Sequence, residues 1–94
     1  MSLATIRIPT PLRSLTAGAG EVAVRAATVR AALEELERRH PGVLARVLDE
    51  RGETRGFVNI FLGDTNVKQL GGLDATVNGA AVISIVPAVA GGAP

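Results

Sequence analysis

The sequence predicts an α+β domain in two layers, one main helix packed on a mixed sheet of four to five strands. Three observations lead there. Short segments rich in β-branched residues alternate apolar and polar positions. A single long segment, Val29 to His40, carries its apolar residues at helical spacing. Prolines and glycines punctuate the chain between most of these segments.

Ala4 to Ile8 alternates, with Ile6 and Ile8 on one face and Thr5 and Arg7 on the other. Pro9 ends this strand because proline has no N–H to give the ladder. Pro9-Thr10-Pro11-Leu12-Arg13 turns the chain, and Thr16 to Gly20 reads as loop. Glu21 to Arg25 resumes the alternation with Val22 and Val24 inward. The two strands form an N-terminal hairpin.

Thr28 stands where a helix N-cap is needed. Val29, Ala32, Leu33, Leu36 and His40 share one helix face. Glu34, Glu35, Glu37, Arg38 and Arg39 fill the other. Glu34–Arg38 and Glu35–Arg39 have the favourable i,i+4 order, each worth about 0.2–0.5 kcal/mol. Pro41-Gly42 ends the helix. Val43 to Leu48 adds a short helical piece with Leu44, Val47 and Leu48 inward.

Asp49 to Gly56 is a polar loop, and Phe57 to Leu62 is the third strand. Gly63-Asp64-Thr65-Asn66 turns into a short fourth strand, Val67 to Leu70. Gly71-Gly72 opens a compact connection in which Leu73 and Val77 plug the core. Asn78-Gly79 is a turn dipeptide, and Ala81 to Val86 is the last strand. The order is β-β-α-β-β-β. Residues 1–86 form the domain and residues 87–94 a C-terminal tail.

Composition narrows the function. The chain has 94 residues and a net charge of +1, which gives no strong pull toward nucleic acid or anionic membrane. It has no cysteine, so disulfides, thiolate metal sites and a cysteine nucleophile are excluded, and a reducing cytoplasm fits. No apolar run reaches the ~20 residues of a membrane span. His40, the single histidine, sits at a helix end as a capping or neutral residue. Asp64 and Asp74 are separate turn acids, and Ser14 and Ser84 have no base to activate them. No cluster has metal-ligand spacing. Gly71-Gly72 and Gly18/Gly20 lack the patterns of phosphate and dinucleotide loops. Arg38, Arg39, Arg46, Arg51 and Arg55 mix with Asp49, Glu50 and Glu53, and read as a solvated charged region.

Two features remain. In the third strand Val58, Ile60 and Leu62 share one face, while Phe57, Asn59 and Phe61 share the other. Asn59 is costly to bury unpaired, so its face points outward with both phenylalanines. Val82, Ser84 and Val86 of the last strand join that open face. Such a patch suits a protein partner or a second copy of the chain. The second feature is the ending Pro87-Ala88-Val89-Ala90-Gly91-Gly92-Ala93-Pro94. Its side chains are too small to bury much, so the tail is expected to project. Glycine has no Cβ and passes through a channel too narrow for other residues.

The β-β-α-β-β-β order, Phe57-Val58-Asn59-Ile60, Leu70-Gly71-Gly72-Leu73-Asp74 and Val86-Pro87-Ala88-Val89-Ala90-Gly91-Gly92 together resemble the ubiquitin-like β-grasp sulfur carriers, the MoaD/ThiS-like family. The resemblance covers nearly the whole chain. It is nearer to the branch serving cysteine biosynthesis than to the small subunit of molybdopterin synthase. It implies a protein that is not itself an enzyme and binds no cofactor. An E1-like adenylating enzyme uses ATP to join the glycine carboxylate to AMP, and sulfur then replaces AMP as a thiocarboxylate. A sulfur-accepting enzyme, a pyridoxal-phosphate cysteine synthase in this branch, takes the sulfur, and a metalloprotease frees the product. On this chain the resemblance places the carried atom on Gly92. Gly91, Ala90 and Val89 give clearance in the channel. Phe57, Phe61 and Val86 grip the partner.

Two departures stand out. Ala93-Pro94 follows Gly92, so the Gly92–Ala93 bond must be cut, plausibly by such a metalloprotease, before Gly92 has a carboxylate to activate. The turn before the last strand, acidic in much of the family, is the neutral Asn78-Gly79-Ala80-Ala81 here. Conjugation of Gly92 to lysines, as in a ubiquitin-like modifier, uses the same activation and is the alternative reading. A non-covalent interaction domain is a third.

Overall fold

The structure, a computed structural model, describes residues 1–87. The sheet contains β1 (Ser2–Arg7), β2 (Glu21–Ala26), β3 (Val58–Leu62), β4 (Thr65–Asn66) and β5 (Ala81–Pro87). Two helices, α1 (Val29–Arg39) and α2 (Leu44–Val47), and two 3-10 turns, Thr10–Leu15 and Val67–Leu70, complete the elements among the described residues. The strand order is β2-β1-β5-β3-β4. Only β1 and β5 run parallel; the other neighbours are antiparallel. The sheet is therefore mixed, and the last strand of the chain lies at its centre.

The core forms on one sheet face. Ile6, Val24, Ile60 and Ile83 point from four strands toward Val29, Leu33 and Leu36 of α1, all essentially inaccessible to water. Thr28 caps α1, its Oγ1 accepting from the Ala31 N–H at 3.1 Å. The expected helix face is the buried one at Val29, Ala32, Leu33 and Leu36, and His40 is the C-cap residue. Val47 and Leu48 are buried beyond α1, as are Leu73 and Val77 in the connection before β5.

Several boundaries differ from expectation. The first strand begins at Ser2 and ends at Arg7; Ile8 remains buried, its N–H donating to the Gly20 carbonyl at 2.8 Å. The expected strand Val67–Leu70 is a 3-10 turn, and the strand lies one step earlier, at Thr65–Asn66. Local chemistry decides this. The Asn66 carboxamide oxygen accepts from the Lys68 N–H at 2.9 Å, which caps a turn. Gly71 then takes φ +91°, a conformation that stops it. Of the two expected charge pairs, Glu35–Arg39 forms at 3.5 Å, whereas Arg38 meets Glu35 at 2.5 Å instead of Glu34. Glu37 instead accepts from the N–H groups of Gly42 and Leu44 at 3.0 and 2.9 Å, which ties the end of α1 to the start of α2.

Candidate functional site

The register of β5 sets the geometry where the tail begins. Against β1, pairing runs from Ala4↔Ala81 to Arg7↔Ser84 and stops. Against β3, it continues through Ile60↔Ile85 and Asn59↔Val86 to Val58↔Pro87. Ile85, Val86 and Pro87 thus have a strand neighbour on one side only. The chain leaves β1 at Ile8-Pro9 and enters the 3-10 turn, which opens the other side.

Two clefts flank this root. The first, about 330 Å³, has Val58 and Ile85 from the core face of the sheet among its walls. Pro9, Leu12, Ala45, Phe57 and Pro87 also line it, with the guanidinium-bearing residues Arg46 and Arg55. Arg55 is held there by its Nε, which donates to the Ala45 carbonyl at 2.9 Å. The second cleft, about 650 Å³, lies between the ends of β1 and β5 and is lined by Arg7, Arg13, Glu21, Ser84 and Val86 among others. Arg13 is fixed by its Nε–H donating to the Ile8 carbonyl at 3.0 Å. It lies so close to Gly20 that a Cβ there would come within 3.2 Å of its Cζ. Pro9 and Ile85 line both clefts.

The open face of the sheet carries Leu3, Val82 and Val86, each more than a third exposed. Half-buried Phe61 sits opposite Ser84 on the same face. Asn59 points outward as expected, its carboxamide oxygen accepting from the Asn66 Nδ2 at 3.4 Å. Phe57 corrects the expectation of one shared patch. It precedes β3, is 59% exposed and borders the first cleft. The structure therefore splits the expected gripping set: Phe61 and Val86 lie on the open face, and Phe57 lies at the sheet end beside Pro87.

Gly92, Gly91, Ala90, Val89 and Ala93 lie outside the described residues. Among the described residues no three His, Cys, Asp or Glu side chains gather to hold a metal. No described helix is long and apolar enough to cross a membrane. Arg46 and Arg55 were expected to belong to a merely solvated region; the fold brings them to the tail root with Pro9 and Pro11. No periodicity in the sequence signals that convergence, because the four residues come from three separate segments.

A five-stranded mixed sheet in this order, grasping one main helix, defines a ubiquitin-like β-grasp domain. The chain belongs to the ThiS family, which it matches over residues 6–92. It is 37% identical over 90 residues to the sulfur carrier protein CysO of Mycobacterium tuberculosis, covering 94% of this chain and 97% of that protein. A chain in the crystal structure of the Amycolatopsis orientalis BexX/CysO complex superposes with a TM-score of 0.87 at 37% identity, covering 92% of this chain and 96% of that one. The small archaeal modifier protein 1 of Methanosarcina acetivorans superposes with a TM-score of 0.80 at 25% identity, covering 95% of each chain.

Proposed function

We propose that this chain is a sulfur carrier whose Gly92 holds the sulfur as a thiocarboxylate, most directly for cysteine biosynthesis in the cytoplasm. The observation that carries the reading is the family match, which runs to Gly92 and stops before Ala93-Pro94. Carriage begins with cleavage of the Gly92–Ala93 amide, for which a metalloprotease is the proposed agent. The freed carboxylate attacks the α-phosphate of ATP in an adenylating enzyme, and pyrophosphate leaves. Sulfide sulfur from a donor then attacks the acyl carbon, and AMP leaves. The carrier supplies no acid, base or metal and binds no cofactor itself. It contributes a narrow tail, Val89 to Gly92, and a surface around the tail root. The proposed sulfur acceptor is a pyridoxal-phosphate enzyme bearing an activated serine.

The test is mass spectrometry of the protein isolated from its own cells under sulfur limitation. The expected species ends at Gly92 and is heavier by the difference between sulfur and oxygen. Recovery only of chains that still extend past Gly92 would sink the reading. The likeness to an archaeal modifier favours a second reading, conjugation of Gly92 to lysines. Gly-Gly remnants on lysines of other proteins, without any thiocarboxylate, would establish that one instead.

A further inference from the structure

We propose that the cleft beside Pro87 docks an acidic segment of the adenylating enzyme, one that presents an apolar side chain flanked by carboxylates. The inference rests on the sulfur-carrier reading and adds the chemistry of the partner's contact. Three observations carry it.

The first is the cleft's make-up. Its walls are apolar, and its two charged side chains, Arg46 and Arg55, are both cations. Neither forms an ion pair with a carboxylate among the described residues. An apolar floor with cations at its rim fits an apolar anchor flanked by carboxylates.

The second is charge segregation. Arg7 and Arg13 line the other cleft at the same root, with Glu21 as its one acid. The two clefts at the root are therefore lined by four arginines and one glutamate, in a chain with 10 basic and 9 acidic residues overall. Glu34 and Glu37 line a different cleft, beside Arg30. Asp49 and Glu50 border Arg55, with Arg51, but do not line either root cleft. The neutral turn Asn78-Gly79-Ala80-Ala81 adds no acid ahead of β5.

The third is position. Pro87 lines the cleft and is the last residue before the tail. Any enzyme that draws in the tail must close around this ring. Phe57, exposed at the rim, is the aromatic contact such an interface uses.

The experiment is ATP–pyrophosphate exchange by the adenylating enzyme of the same organism, with the chain cut after Gly92 as substrate. Arg46→Glu with Arg55→Glu should raise KM for the carrier about tenfold or more and leave kcat within about twofold. The wild-type KM should rise with added salt, and the double variant should lose that dependence. Arg55→Glu also loses a hydrogen bond to Ala45, so Arg46→Glu alone, at an exposed position, should raise KM severalfold while the thermal transition stays unchanged. Lys68→Glu, which lies at neither root cleft, should leave KM unchanged. A wild-type chain that is adenylated with a KM blind to the charge reversals overturns the docking site and leaves the carrier reading standing. A wild-type chain cut at Gly92 that is not adenylated at all overturns both. Two other occupants are distinguished by the same variants. If the wild type dimerises and Arg46→Glu makes it a monomer, the cleft belongs to a second copy. If removal of residues 88–94 shifts only the NMR signals of cleft residues, it belongs to the chain's own tail. Either result overturns the proposal.

Discussion

Val58 stands directly opposite Pro87 in the antiparallel β3–β5 pair, at the last position of the ladder. Val58 is buried and Pro87 half-buried. The apolar side chain anchors the end of the sheet, and the proline ring fixes φ at the point where the tail departs. Pro87→Ala restores a backbone donor but frees the unfolded chain. It should cost about 0.5–1 kcal/mol in urea unfolding. It should also raise KM in the adenylation assay severalfold, because the root is less pre-organised. A variant as good a substrate as the wild type would show that the ring has no directing role.

Adjacent residues of β5 should respond oppositely to truncation. Ile83 is fully buried against the α1 layer, whereas Val82 is 38% exposed on the open face. Ile83→Ala removes core methylenes and leaves a cavity, so it should cost about 2–5 kcal/mol by urea denaturation. Val82→Ala should cost less than about 1 kcal/mol. Comparable losses at the two sites would mean that the open face is covered in solution.

Thr28 holds the start of α1 through its side-chain oxygen. It also forms an isolated bridge with Thr76, which ties the helix start to the connection before β5. Thr28→Ala should cost about 0.5–2 kcal/mol, and Thr28→Ser should retain most of that stability. Thermal melts of the two variants separate loss of the cap from loss of the methyl group.

Much of this architecture was legible because single periodicities dominate its segments. The alternation in Val58-Asn59-Ile60-Phe61-Leu62 places Val58 and Ile60 inward and Asn59 outward, as the structure does. Thr28 and His40 bound α1 from the sequence because cap chemistry is local. Val67-Lys68-Gln69-Leu70 misled because a four-residue segment carries too little pattern, and the cap from Asn66 outweighs it. The i,i+4 spacing revealed Glu35–Arg39 but not the i,i+3 contact by which Arg38 also turns to Glu35. The clefts at the tail root were not legible. Pro9, Arg46, Phe57 and Pro87 meet only after α2 and the 3-10 turn have packed at the end of the sheet. The tail chemistry was suggested by composition and resemblance, which depend on no tertiary contact.

The loop between α2 and β3 should respond to acid through Asp49. Its carboxylate accepts from the N–H groups of Glu53 at 3.1 Å and Arg51 at 2.8 Å. The hydrogen bond from Glu53 is the main cause that holds its pKa below the ordinary aspartate value, with Arg51 and Arg55 adding charge in the same direction. The sign follows from linkage. A depressed folded-state pKa gives stability that is fully present above about pH 4, the unfolded value, and is lost as pH falls through the folded value. Asp49 is half-buried in a surface loop and its partners are the loop's own N–H groups, so the effect concerns the loop rather than the domain. The amides of Arg51 and Glu53 should exchange slowly at pH 6 and faster as pH falls below about 4, after correction for the intrinsic rate. In Asp49→Asn that pH dependence should vanish, while the protection of Ile60 and Ile83 stays unchanged. An Asp49 side-chain titration midpoint at or above the ordinary aspartate value, read by NMR, would remove the basis for the prediction.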